Sequence, residues 1–193
     1  MGIEGGGYLS NPDIQKVRIQ TVVNACIDLG LYVIIDWHYV NASWSDSGVA
    51  DNTYDFWNFV TEKYANHANV LFELLNEPGG GSWNSWQAKA QEWVDLIRNT
   101  HNADNIIICG GPSWSQVLPK SSSDNFFTGG NIAYACHIYP AHSSGGIPDW
   151  IEYTVQYAPV IMTEWGYVNN ADANVTVGTT TSLGWPFRDY IES

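Results

Sequence analysis

The sequence predicts an α/β fold of the (β/α)8 barrel type, incomplete, with about five parallel strands and flanking helices in a single domain spanning residues 1–193. Two observations predict it. Five short apolar runs alternate with amphipathic stretches of helical period, the pattern of a parallel sheet covered on both faces. Polar, ionisable and aromatic residues then gather directly after each run, at the strand ends where parallel α/β proteins carry their chemistry. No Pro/Ser linker, charge block or low-complexity segment divides the series.

The first helix is expected from Asn11, as cap, through Pro12 at its first position to Gly30 as its stop, with Ile14, Val17, Val22, Ala25, Cys26 and Leu29 on the apolar face. The run Leu31 to Ile35 follows as a strand and leads into Asp36-Trp37-His38. Tyr54 to Tyr64 reads as a helix, and Val70 to Leu75 as a strand leading into Asn76-Glu77-Pro78. A helix over Trp86 to Asn99 precedes the strand Asn105 to Cys109, which ends in Gly110-Gly111-Pro112-Ser113-Trp114. Residues 114–127 are less regular, and the strand Ile132 to Cys136 then runs into His137-Ile138-Tyr139-Pro140. A helix over Pro148 to Tyr157 and the strand Val160 to Thr163 close the series at Glu164-Trp165-Gly166.

Composition excludes several classes. With 20 Asp and Glu against seven Lys and Arg, the net charge of −13 disfavours nucleic acid and anionic bilayers as partners. No apolar run approaches the roughly 18 residues of a membrane span. Cys26, Cys109 and Cys136 have no metal-ligand spacing and read as buried thiols. Asp36-x-His38 is too short for a specific metal signature, so no metal or cofactor is expected. Ten Trp and 11 Tyr suggest flat apolar faces with polar tips that stack on sugar rings or aromatic ligands. The Asn-x-Ser/Thr matches at Asn41 and Asn174 are too common by chance to establish glycosylation.

Glu77 and Glu164 are the candidate catalytic pair. They lie 87 residues apart, about 29 per βα unit over three units, close to the roughly 31 of a full barrel. Both therefore reach one rim, where one carboxyl could donate a proton to a leaving oxygen while the other attacks an anomeric carbon at a separation of about 5–5.5 Å. With so few cations in the chain, ion pairing accounts poorly for two strand-end glutamates.

Leu74-Leu75-Asn76-Glu77-Pro78, His137-Ile138-Tyr139-Pro140, Met162-Thr163-Glu164-Trp165-Gly166 and the preceding Val33 to His38 resemble glycoside hydrolase family 5, the cellulase family A of TIM-barrel retaining enzymes. The resemblance implies an endo-acting β-1,4-glucanase working by double displacement. It gives Glu77 the general acid/base role and Glu164 the nucleophile, has Asn76 hold the sugar 2-hydroxyl, and places His38, His137 and Tyr139 around the bond to be cut. Trp37, Trp114 and Trp165 are expected sugar platforms; Trp44, Trp83 and Trp86 serve equally well as platforms or as packing against their own helices. His67, His101 and His142 carry no role. The family also has an Arg on the second barrel strand and a Trp on the eighth, and neither region is in this sequence. The visible strands would be three to seven, from Glu4-Gly5-Gly6-Gly7 to Phe187-Arg188-Asp189-Tyr190-Ile191. A partial chain of a larger, secreted, extracellular enzyme is therefore expected, its signal peptide not present in this sequence, and five strands would leave open edges for self-association. The partner is a polysaccharide or oligosaccharide, with β-glucan favoured and mannan or xylan open. The alternative is a catalytically impaired carbohydrate-binding barrel fragment.

Overall fold

The computed structural model describes residues 7–139, 149–167 and 177–191. Outside them lie Glu4 to Gly6, Pro140, His142, Pro148 and Asn174. Five parallel strands form one sheet: β1 (Val33–Asp36), β3 (Val70–Glu73), β5 (Ile107–Cys109), β6 (Ile132–Ile138) and β7 (Val160–Trp165), in that spatial order. Each sits within two or three residues of its apolar run. The register pairs Asp36 with Glu73, Ile107 with Ile132 and His137 with Glu164. The sheet is curled, so that Thr163 of β7 lies near enough to Glu73 of β3 to act on its carboxyl although β5 and β6 lie between them. The curl is that of a half-barrel with flanking helices.

A two-stranded parallel pair not expected from the sequence, β2 (Val40–Ala42) with β4 (Glu77–Pro78), continues the chain beyond the ends of β1 and β3. Its bonds run from Asn76 N to Trp37 O at 3.1 Å and from Glu77 N to Tyr39 O at 3.0 Å. Glu77 is thus held in a strand rather than in a free loop.

α1 (Pro12–Asp28) begins as expected: the Asn11 side chain accepts from Ile14 N at 3.3 Å, Pro12 opens the helix, and Gly30 at φ +69° follows its end. Its buried face is not the expected one. Gln15, Ile19 and Val23 are buried, while Val17 and Val22 are 61% and 58% exposed. Spacing identifies an apolar stripe but not the side of the helix that meets the sheet. Here α1 rests on the edge strand β1, and no described element covers the neighbouring stripe.

α2 (Ser47–Tyr64) starts seven residues before the expected point, because the Asp46 side chain caps Gly48 N and Val49 N and a polar first turn can then be helical. α3 (Trp83–Asp95) is capped by Ser82 and continues through a wider turn to Thr100. The short helices α4 (Asp149–Thr154) and α5 (Trp185–Ile191) complete the described chain.

Tryptophan dominates the core. Trp37, Trp57, Trp86 and Trp93 are fully buried, and Trp44 and Trp83 nearly so. Several pin backbone near strand ends with their indole N–H: Trp57 donates to Leu74 O at 2.9 Å, Trp86 to Gly110 O at 2.8 Å and Trp44 to Gly80 O at 3.1 Å. Most of the tryptophan content therefore serves packing and strand-end bracing, not sugar-stacking surface. At the opposite end of the sheet, the Arg98 guanidinium donates to the carbonyls of Ala103, Asn105, Gly129, Gly130 and Asn131.

Candidate active site

The two glutamates converge on one imidazole. His137, on β6 and 1% exposed, approaches Glu77 Oε1 with Nδ1 at 3.1 Å and Glu164 Oε2 with the same atom at 3.7 Å. One ligand atom from each of the three lies within 4.8 Å of the others. Among the described residues this is the group compact enough to hold a metal ion. Its atoms already engage one another and Tyr139, and no ion is assigned to it.

A bulge in β7 sets this geometry. Cys136 pairs with Met162 but His137 pairs with Glu164, so Thr163 is an extra residue in the strand. A bulge re-aims side chains that would otherwise alternate between faces. Here both Thr163 and Glu164 reach His137, the former through Oγ1 to Nε2 at 3.2 Å.

Tyr139 donates its phenolic hydrogen to Glu164 Oε1. Burial, then that bond and the charge of Glu164, push the phenol pKa well up, so it remains a donor. Asn76 is 3% exposed, and its Nδ2 is buried without a hydrogen-bond partner among the described residues. Its backbone is fixed from both sides, since its N–H donates to Trp37 O and its carbonyl accepts from Ser115 Oγ at 2.5 Å.

Ser115 belongs to a turn that sequence reading missed. Ser113, Trp114 and Ser115 all adopt left-handed backbone, at φ +58°, +61° and +56°, costly for three successive residues with side chains. Close packing holds the turn in place. A Cβ at Gly110 would lie 2.1 Å from Ser115 Oγ, and one at Gly111 1.8 Å from Val117 O. The turn leaves Trp114 45% exposed, and Trp165 at the end of β7 is 48% exposed.

His38 is half-exposed, with Nδ1 2.7 Å from Asp36 Oδ2, a bond that raises the imidazole pKa. Trp37 departs from expectation. Its ring is fully buried, lies 4.4 Å from Phe56 between centroids, and donates to Thr53 Oγ1 at 2.8 Å, so it presents no face to a sugar. Side chains alternate across a strand, and one residue of offset decides between core and cleft. Trp44, Trp83 and Trp86 resolve likewise as packing.

Glu73 was also missed. It is 6% exposed, and burial followed by the Asp36 charge raises its pKa to about 7. Its signal was a lone acid inside an apolar strand run, Val70-Leu71-Phe72-Glu73-Leu74-Leu75.

The sequence model of the cellulases, glycosyl hydrolase family 5, matches residues 1–193. The chain belongs to this family. Family relatives include an endoglucanase of Clostridium saccharobutylicum, 34% identical over 97% of this chain and 41% of its own length. Endoglucanase Z of Dickeya dadantii is 35% identical over 96% and 42%. Among solved members, the catalytic domain of Thermobifida fusca endoglucanase Cel5A superposes with a TM-score of 0.78 at 27% identity, over 98% of this chain and 61% of that one. The same domain has been solved in complex with cellotetraose. The chain thus spans about two fifths of the length of these curated relatives. No helix among the described residues is long and apolar enough to cross a membrane.

Proposed function

We propose that this chain carries the catalytic pair of a retaining endo-β-1,4-glucanase that acts on extracellular β-glucan. The observation that carries the reading is the convergence of Glu77 and Glu164 on His137, with ligand atoms within 4.8 Å, matching the close carboxyl spacing of about 5–5.5 Å that double displacement requires.

Glu164 attacks the anomeric carbon while Glu77 gives its proton to the departing glycosidic oxygen, leaving a glycosyl ester on Glu164 and a shortened glucan. Glu77, now ionised, takes a proton from water, whose oxygen attacks the same carbon and releases Glu164. Tyr139 holds Glu164 Oε1 and orients the other oxygen for attack. The unpaired Nδ2 of Asn76 supplies a donor for a sugar hydroxyl, where a bond that strengthens as positive charge develops favours the transition state. His38, Trp114 and Trp165 contact the sugar chain, the two tryptophans through their exposed faces.

The test is trapping. Incubation with a 2-deoxy-2-fluoro cellobioside bearing a good leaving group is expected to add one glycosyl mass to a peptide containing Glu164. Glu164→Ala should show neither adduct nor reducing-sugar release from carboxymethyl-cellulose. Glucan binding with no adduct would instead favour a binding barrel, and faster turnover of mannan or xylan would reassign the substrate.

A further inference from the structure

His137 stands between the catalytic pair and the bulge of β7. Its Nδ1 lies 3.1 Å from Glu77 Oε1 and 3.7 Å from Glu164 Oε2, and its Nε2 lies 3.2 Å from Thr163 Oγ1. Tyr139 holds the other oxygen of Glu164, so the oxygen that faces Nδ1 is the one left to attack. We propose that Thr163 is a positioning residue for the acid/base: its hydroxyl donates to His137 Nε2 and so keeps the ring proton on Nδ1, against Glu77. This deepens the reading of Glu77 given above and rests on it.

A neutral imidazole has one N–H and one bare nitrogen, and each must be matched by its neighbour. Nδ1 faces two carboxyl groups, and double displacement leaves one of them ionised at each stage between its bond-making steps. Glu164 is ionised before the attack, and Glu77 once it has given its proton away. A bare Nδ1 would set its lone pair against that charge, whereas Nδ1–H is attracted to both oxygens. Nδ1–H also serves Glu77 in both of its states, because a protonated carboxyl still accepts through its carbonyl oxygen. With Oε1 engaged in this way, the acid proton of Glu77 is carried on Oε2, the oxygen the ring does not take. The nitrogen left bare is then Nε2, and the donor it needs is the Thr163 hydroxyl.

Burial gives the contact its weight. His137 is 1% exposed, so a bare Nε2 that lost Thr163 would have little water to turn to. The backbone supplies the placement. In a regular strand Thr163 would pair with His137, and Glu164 would turn to the opposite face. The register instead pairs Cys136 with Met162 and His137 with Glu164, and the extra residue lets both side chains reach one ring. Threonine suits the position because its β-branch restricts the hydroxyl to few rotamers. Valine would fill the same space and offer no donor.

The test compares the native chain with Thr163→Val and Thr163→Ser. 15N spectra of histidine-labelled protein report which nitrogen of His137 carries the proton and whether the other accepts a hydrogen bond. The second readout is kcat/KM, which follows formation of the glycosyl ester. It is measured on an unactivated cello-oligosaccharide and on a dinitrophenyl cellobioside, whose leaving group needs no acid. The native ring should show its proton on Nδ1 and a hydrogen-bonded Nε2. Thr163→Val should move the Nε2 resonance to that of an unbonded nitrogen. It should lower kcat/KM about tenfold on the oligosaccharide and by no more than about twofold on the dinitrophenyl substrate, and Thr163→Ser should restore both readouts. A native ring with its proton on Nε2, or on both nitrogens, overturns the proposal, and does so without any variant where the valine chain folds poorly. An equal loss on the two substrates overturns it as well, because the damage would then lie in the nucleophile or the fold. The spectra need no turnover, so an inactive native chain would sink the glucanase reading while they still decide whether Thr163 sets the ring.

Discussion

Glu73 makes the stability of the molecule depend on pH, in the sense opposite to an ordinary acidic residue. A carboxyl with an unfolded value near 4.5 is raised to about 7 in the fold, first by burial and then by the Asp36 charge. The folded state therefore binds the Glu73 proton more tightly than the unfolded chain does. The stability contributed is complete below about pH 4.5 and is lost as pH rises through about 7. At about 1.36 kcal/mol per unit, a shift of roughly 2.5 units corresponds to about 3 kcal/mol. Glu73→Gln, nearly the same shape but without the titration, should match the native protein near pH 4.5 and exceed it by about 3 kcal/mol near pH 8. For a chain of this length that is a rise in Tm of about 6–12 °C. Urea unfolding at four pH values between those limits measures the difference directly. A difference that stays flat across the range would refute the reasoning, because it would mean that the buried carboxyl does not change state there.

Further outcomes follow from individual contacts. Trp57→Phe removes the donor to Leu74 O inside the core and leaves a buried carbonyl, which should cost about 2–4 kcal/mol in chemical denaturation, whereas Trp185→Phe, at a half-exposed ring, should stay within about 0.5 kcal/mol. Arg98→Ala should lose about 2–4 kcal/mol because five carbonyls lose one planar donor, and Arg98→Lys should recover only part, since one ammonium cannot span them. Tyr139→Phe should lower kcat by roughly 10–100-fold with KM little changed, the value of a hydrogen bond to a charged group, read in steady-state kinetics on cello-oligosaccharides. Ser115→Ala frees the Asn76 carbonyl and should reduce kcat/KM severalfold while the melting temperature falls by only a few degrees, about 1–2 kcal/mol.

All five main strands, their parallel order and the two glutamates were legible because each depends on short stretches of chain. An apolar run marks a buried strand wherever it lies, and Asn11, Pro12 and Gly30 mark a helix by local hydrogen bonding and backbone freedom. Trp37 shows where that legibility stops. Its type and position suggested a sugar platform, yet the face of the strand end on which it emerges depends on packing with Phe56 and Thr53 from α2. The exposed stripe of α1 fails for the same reason: the pattern names apolar residues but not the neighbour that covers them.

By itself, then, the sequence determined the strand series, the polar residues at the strand ends and the approach of Glu77 to Glu164, since composition and spacing are properties of the chain taken in order. The curl of the sheet, the bulge that turns Thr163 and Glu164 toward the same histidine, the left-handed turn that braces Asn76, and the row from Thr163 through His137 to Glu77 were decided only by tertiary structure. The hydrogen bonds that make them join residues 26 to 60 positions apart. Contacts that sparse leave no periodic trace in a sequence and exist only once the strands have closed around them.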